Sequence, residues 1–165
     1  MRVVAAKASQ RGRRPVNEDA AFIELEHGVF AVSDGMGGLD AGDVASGFAL
    51  SSLEEGAAKL GWRAASMAVN ATPSDKLALA DLLSGLAQRA NDAILEEAAS
   101  RHGRMGATLT SMVVAGQTAF ISHVGDTRAY RVRGGVVEQL TEDTSVAAIR
   151  LRLGRMTPEE DETSP

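Results

Sequence analysis

Two short runs place carboxylates where a cation could use them, Asn17-Glu18-Asp19 and Ser33-Asp34-Gly35. Between them lie two apolar stretches, Ala20 to Glu26 and Val29 to Ser33, around Glu26-His27-Gly28, a good hairpin turn. If the chain turns at Glu26-His27, positions that sum to 53 face each other, and Asp19 and Asp34 are such a pair. Like charges directly opposite destabilise a sheet. At about 5 Å and an effective dielectric near ~20 the repulsion is roughly 3 kcal/mol. A cation held between the two turns that repulsion into attraction. A slip of one residue in the turn would spoil the pairing. A third acidic point is Asp126, in Val124-Gly125-Asp126-Thr127-Arg128, where one strand ends and the turn into the next begins. The donors on offer are all oxygen: carboxylates and the exposed carbonyl of a glycine such as Gly35. Such a set suits Mg2+ or Mn2+ better than zinc. Water on such a cation is acidified and becomes a nucleophile.

Each of these residues also has a plainer reading. A single aspartate is more often a turn or cap residue than a ligand. DGMGG, from Asp34 to Gly38, is by itself a glycine-rich turn and lacks the GK[ST] of a nucleotide P-loop. Asp75, Asp81, Asp92 and the Glu96-Glu97 pair read as a solvated helix face, and His123, among apolar strand residues, as a satisfied structural histidine. The chain has no cysteine, which excludes disulfides, thiolate zinc sites and thiol nucleophiles. Its three histidines, His27, His102 and His123, have no metal-type spacing. A net charge of −5 argues against nucleic acid as a partner. The N-terminus lacks the apolar core of a signal peptide, and no apolar run approaches membrane-spanning length. The expectation is a soluble, cytoplasmic protein with no membrane partner.

The elements that must position these groups follow from the pattern. Val3 to Ser9 reads as a first strand and Ser9 to Pro15 as a loop. Asp34 to Asp43 reads as a glycine-rich loop. A helix is expected from Val44 to about Leu60, with Val44, Phe48 and Ser52 on one side, then an irregular connection from Gly61 to Ser74. Thr72-Pro73-Ser74-Asp75 carries cap chemistry for a second helix. Leu79, Leu82, Leu83, Leu86, Ala90 and Ile94 then recur at helical spacing out to about Arg101, where Gly103 stops it. Strands are expected over Ala107 to Ala115, Thr118 to Val124, Arg128 to Val132 and Val136 to Leu140, and a last helix over Val146 to Leu153. Strands, two helices, then strands argue for an α+β fold with helices packed on antiparallel sheet. One domain is expected over residues 1–156, with an acidic, frayed tail over 157–165.

Six motifs then occur in one order: RPVNEDA (Arg14 to Ala20), VSDGMGG (Val32 to Gly38), AGDVAS (Ala41 to Ser46), MGATLT (Met105 to Thr110), VGDTRAY (Val124 to Tyr130) and LTEDTS (Leu140 to Ser145). Together they resemble the successive motifs of bacterial type 2C (PPM) metal-dependent serine/threonine protein phosphatases, over nearly the whole chain. The resemblance implies an α-β-β-α sandwich with two Mn2+ or Mg2+ ions at one end of the sheets, and a third, weaker ion in bacterial members. Arg14 matches the arginine that grips the substrate phosphate, with adjacent Arg13 a weaker candidate. A planar guanidinium can hold two phosphate oxygens. Asp19 matches a direct metal ligand, and Glu18 the acidic neighbour that holds a water of the metal's shell. Asp34 matches the aspartate bridging the two ions, Gly35 the glycine whose carbonyl binds one of them, and Asp126 the aspartate that helps hold the third.

The departures are equally specific. The family pattern has a later Asp-Gly and a closing Asp-Asn, and nothing after Asp126 matches either, so the last strands of the sandwich are expected to be missing. Leu39 and Thr144 stand where bacterial members often carry histidine. The resemblance implies hydrolysis of phosphoserine and phosphothreonine in proteins, within a kinase pathway. The competing readings are an impaired phosphatase-like module that binds phosphoprotein or a kinase, and, further off, a nucleotide-binding domain. Missing strands would also leave open sheet edges, and so self-association.

Overall fold

The computed structural model describes residues 2–37, 41–67 and 71–155. Strands β1 (Asp19–Glu24) and β2 (Val29–Gly37) form the first hairpin, and helices α1 (Gly42–Ser66) and α2 (Pro73–Ser100) follow. Then come β3 (Met105–Ala107), β4 (Leu109–Ala115), β5 (Thr118–Val124), β6 (Tyr130–Arg133), β7 (Val136–Gln139) and α3 (Val146–Arg152). The main sheet is antiparallel, in the order β1-β2-β4-β5, with β3 pairing the far end of β2; β6 and β7 form a separate two-stranded sheet. This is the expected α+β arrangement.

Alternation along β2 sets the faces. Val29, Ala31, Ser33 and Gly35 are buried, while Val32, Asp34 and Met36 are exposed. Val113, Leu109 and Ala115 of β4 join the buried side, where the two long helices lie. The buried stripe of α1 is Ala45, Ala49, Leu53, Gly56, Leu60 and Ala64, one helical face of mostly small residues. Small residues let neighbours come close: a Cβ on Gly56 would stand 2.6 Å from a methyl of Leu86 in α2. The larger Val44 and Phe48, expected to lead that face, are only half-buried at its flanks.

Four expectations need correction. The helix α1 runs on through Gly61 to Ser66 where an irregular connection was expected. Gly61 is not a breaker there, because a Cβ on it would meet the His27 ring carbon at 2.8 Å; the glycine is required by packing. β2 continues through Asp34 to Gly37, where a loop was expected, because β3 pairs with Gly35, Met36 and Gly37. Val3 to Ser9 forms no strand; Lys7 Nζ donates to the Ala21 carbonyl at 3.0 Å, and Val4 is 80% exposed. At the end of α2 it is His102, not Gly103, that adopts the left-handed conformation, with φ 52°. Gly103 N–H then donates back to the Ala98 carbonyl at 3.0 Å, a Schellman closure. The start of α2 is as expected, with a reciprocal capping box between Thr72 and Asp75. The expected frayed tail over 157–165 and Leu39 lie outside the described residues.

The sheet face away from the helices is only partly covered. Ala21, Ile23, Phe30, Val32, Met112 and Ile121 border a hollow of about 590 Å³, together with the segment 4–8 and Arg128 to Tyr130. Every residue of β6 and β7 is exposed, with Val132 70% open. Among the described residues, no helix is long and apolar enough to cross a membrane.

Candidate metal centre

The hairpin register is the one that the turn implies. Asp19 pairs with Asp34 and Glu24 with Val29, across the turn Leu25 to Gly28. The two carboxylates therefore start from directly opposed positions on the same face of the sheet. Asp126 reaches them from the turn after β5. Asp19, Val32, Ser33, Asp34, Asp126 and Thr127 line one cleft of about 470 Å³.

The electrostatics follow from this crowding. Partial burial, and after it the Asp19 carboxylate, hold the Asp34 carboxyl above its usual range; Asp126 and Glu18 push the same way, and Arg14 pulls it down. Asp34 is nonetheless solvent-exposed, so water screens part of the repulsion. The donor set of carboxylates in a shared cleft, with an adjacent backbone carbonyl, fits a hard divalent cation. Among the described residues, the trio of ligand groups whose atoms all come within 4.8 Å of one another is Glu24, Glu26 and His27, at the opposite end of the hairpin. The aspartates of the cleft are spread more widely than that.

Glu18 and Gly35 sit on the helix side of the strand ends. Gly35 N–H donates to the Glu18 carbonyl at 3.1 Å. The Glu18 side chain lies against Gly42, the first residue of α1, and is 19% exposed. Arg14 Nη1 reaches Glu18 Oε2 at 3.4 Å but remains 71% exposed, so its fork is free to turn toward solvent. Arg13 is exposed beside it. The structure thus brings Asp19, Asp34 and Asp126 into one cleft, with Glu18, Gly35 and Arg14 around its rim.

A set of hydroxyls positions these groups, and sequence reasoning missed their roles. Asp34 N–H donates to Thr108 Oγ1 at 2.9 Å, and Thr108 Oγ1 lies 2.5 Å from Thr127 Oγ1. Thr110 Oγ1 donates to the Thr127 carbonyl at 2.8 Å. Thr110 has one proton to give, so His123 Nδ1, 2.8 Å away, carries a hydrogen and donates to it. Among the described residues His123 Nε2 is buried without a partner, so there this histidine is half satisfied rather than fully so. The turn bearing Asp126 is held from the other side by the LTEDTS motif. Gly125 N–H donates to Thr144 Oγ1 at 2.7 Å, and Thr144 N–H to the Gly125 carbonyl at 2.6 Å. Arg128 forks onto Asp143, with Nη2 to Oδ2 at 2.6 Å, and holds that carboxyl below its usual range. Gly125 itself has φ 109°, a conformation that a side chain rarely tolerates. The one available signal was the density of threonines inside otherwise recognisable motifs.

Comparison with known proteins bears on the same residues. The profile described as protein phosphatase 2C matches residues 8–158. The chain is 33% identical to the serine/threonine protein phosphatase PstP of Mycobacterium tuberculosis over 161 residues, covering 97% of this chain and 29% of that protein. It is 32% identical to the serine/threonine phosphatase stp of Listeria innocua, covering 95% of this chain and 61% of that protein. The chain therefore spans less than two thirds of either relative. Among solved structures, the M. tuberculosis PstP/Ppp phosphatase superposes with a TM-score of 0.71 at 33% identity, over 96% of this chain and 62% of that one. The PstP catalytic domain in complex with two manganese ions matches with a TM-score of 0.70 at 31% identity, over 93% and 61%. Both sequence and fold lead to one conclusion: the chain belongs to the protein phosphatase 2C family.

Proposed function

We propose that this chain is the catalytic part, over residues 1–156, of a metal-dependent phosphatase that hydrolyses phosphoserine and phosphothreonine monoesters in proteins. The observation that carries the reading is the in-register opposition of Asp19 and Asp34, with Asp126 in the same cleft. Asp19, Asp34 and Asp126 would hold the ions through carboxylate oxygens, the Gly35 carbonyl would add a fourth donor, and Glu18 would act from the helix side. Bound Mn2+ or Mg2+ would supply an acidified water as nucleophile and neutralise charge on the phosphoryl oxygens. Arg14, exposed and hinged on Glu18, would bind the phosphate and orient it toward the cleft. Relatives named as serine/threonine phosphatases and a two-manganese neighbour support this reading. The marks it removes would be written by a serine/threonine kinase in the cytoplasm, and neither nucleic acid nor membrane is a partner.

The test is Mn2+-dependent hydrolysis of p-nitrophenyl phosphate and of a phosphothreonine peptide, with Asp34→Asn as the control. Hydrolysis that survives Asp34→Asn unchanged would refute the site. A second reading is a phosphoprotein- or kinase-binding module with impaired turnover. Phosphopeptide binding without any Mn2+-dependent turnover would select it.

A further inference from the structure

The motif AGDVAS enters the fold at the start of α1, with its glycine as the first residue of the helix. Gly42 is buried, and Ala41 before it offers no side-chain cap. A Cβ built on Gly42 would overlap Glu18 Oε1, stand 2.6 Å from Glu18 Cδ and lie 2.9 Å from the Gly35 carbonyl oxygen. The space where a side chain would project is thus occupied by a carboxylate on one side and a backbone oxygen on the other. The contact is reciprocal, since a Cβ on Gly35 would overlap the Gly42 carbonyl oxygen and stand 2.9 Å from the Glu18 carbonyl. The start of a helix carries partial positive charge, so it favours a carboxylate in that position.

We propose that Gly42 is a positioning residue: its missing side chain forms the seat that holds the Glu18 carboxylate beside the Gly35 carbonyl at the edge of the metal cleft. Any side chain at 42 evicts Glu18. The atoms displaced first are the far end of a flexible glutamate, which can swing away, whereas the Gly35 carbonyl at 2.9 Å is backbone and has to shift slightly. This inference rests on the cation-site reading above and assigns it a determinant on α1.

The experiment is a double-substitution cycle of Gly42→Ala and Glu18→Ala, read by Mn2+ calorimetry and by thermal melts of the metal-free chain. Displacing an outer-shell carboxylate weakens metal affinity about 10- to 100-fold. Gly42→Ala is expected to show that loss, equal to Glu18→Ala, and to add nothing to it in the double variant. Gly47→Ala, on the same helix with no atom within 4 Å of its added Cβ, should leave affinity unchanged. A Gly42→Ala chain that binds Mn2+ like the parent overturns the proposal. If Gly42→Ala gives no cooperative melt, the double variant decides. Recovery of the melt supports the seat, and loss in both shows that Gly42 accommodates only the Gly35 carbonyl, which overturns it. Asp34→Asn separates this idea from the reading beneath it. Parent-like Mn2+ binding by Asp34→Asn sinks the cation site, whatever residue 42 does. Weakened binding by Asp34→Asn, with independent effects of Gly42→Ala and Glu18→Ala, leaves the site and sinks the seat. The metal-free melts are read in either case: non-additive shifts support the seat, and additive shifts overturn it.

Discussion

At the residue scale, Asp34 carries opposite obligations. Its carboxyl is held above the usual range by partial burial and by the carboxylates around it. The folded chain therefore takes up that proton more readily than the unfolded chain, and stability falls as pH rises through the raised value. At neutral pH the ionised group works against the metal-free fold. Asp34→Asn should accordingly raise the melting temperature of the metal-free chain at pH 7, with the gain shrinking as pH is lowered toward the ordinary carboxylate range. Added Mn2+ should reverse the order by stabilising the parent more. A melt series in EDTA and in Mn2+ checks both. Asp143 behaves in the opposite sense: its carboxyl is held low, first by the hydrogen bond from Arg128. The stability it contributes is present above the unfolded value and is lost as pH falls through the depressed one. Arg128→Gln should remove that acid-side loss, visible as a flatter dependence of melting temperature on pH below the ordinary carboxylate range. For Arg14, replacing a charged donor to phosphate typically removes about 1.5–3 kcal/mol. Arg14→Ala should therefore lower kcat/KM on p-nitrophenyl phosphate by about 10- to 100-fold, with metal affinity little changed.

At the element scale, the two devices that place the cleft are a hairpin and a clasped turn. The hairpin was legible because its turn residues and its alternating runs are local, so the facing of Asp19 and Asp34 could be read off by counting. The extension of β2 to Gly37 was not legible, because its partner β3 lies about seventy positions away and glycines carry no strand signal of their own. The same limit hid Gly61, whose neighbour His27 comes from the hairpin turn. It also hid Thr144, which grips Gly125 across 19 positions. Thr144→Ala should leave the fold intact, loosen the Asp126 turn and lower Mn2+ affinity, while Thr144→Ser, which keeps the hydroxyl, should restore it; calorimetry on the pair is the check. Between the helices, Gly56 faces Leu86 with no room to spare. Gly56→Val should destabilise the chain by about 1–3 kcal/mol through overpacking, measured by urea denaturation, with no direct effect on the cleft.

At the scale of the whole molecule, the helical side is well packed and the other side is not. Val29, Leu53, Leu60, Leu79, Leu86 and Val113 are almost wholly enclosed. The hollow beneath β1, β2, β4 and β5 and the bare hairpin β6-β7 expose valines and a tyrosine and leave Ile23 and Ile121 half-buried. Apolar area of that kind seeks cover. The chain is expected to self-associate at micromolar concentration and to bind an apolar dye. Light scattering that gives a clean monomer, together with no dye fluorescence, would contradict this.

The four-residue turn at Leu25 to Gly28 has a further consequence for how this gene can change. It acts as a frame, in the reading-frame sense, for chemistry at the other end of the hairpin. Loss of one codon there, if β1 slips by one residue against β2 to close the shortened turn, sets Asp34 opposite a neighbour of Asp19 and turns every β1 side chain to the wrong face. Insertions escape only when the new residues bulge wholly outside the ladder. A tag or grafted loop at this tip is therefore governed by parity as much as by length, and a mutational scan of deletions should find the tip, remote from the cleft, as intolerant as the cleft itself.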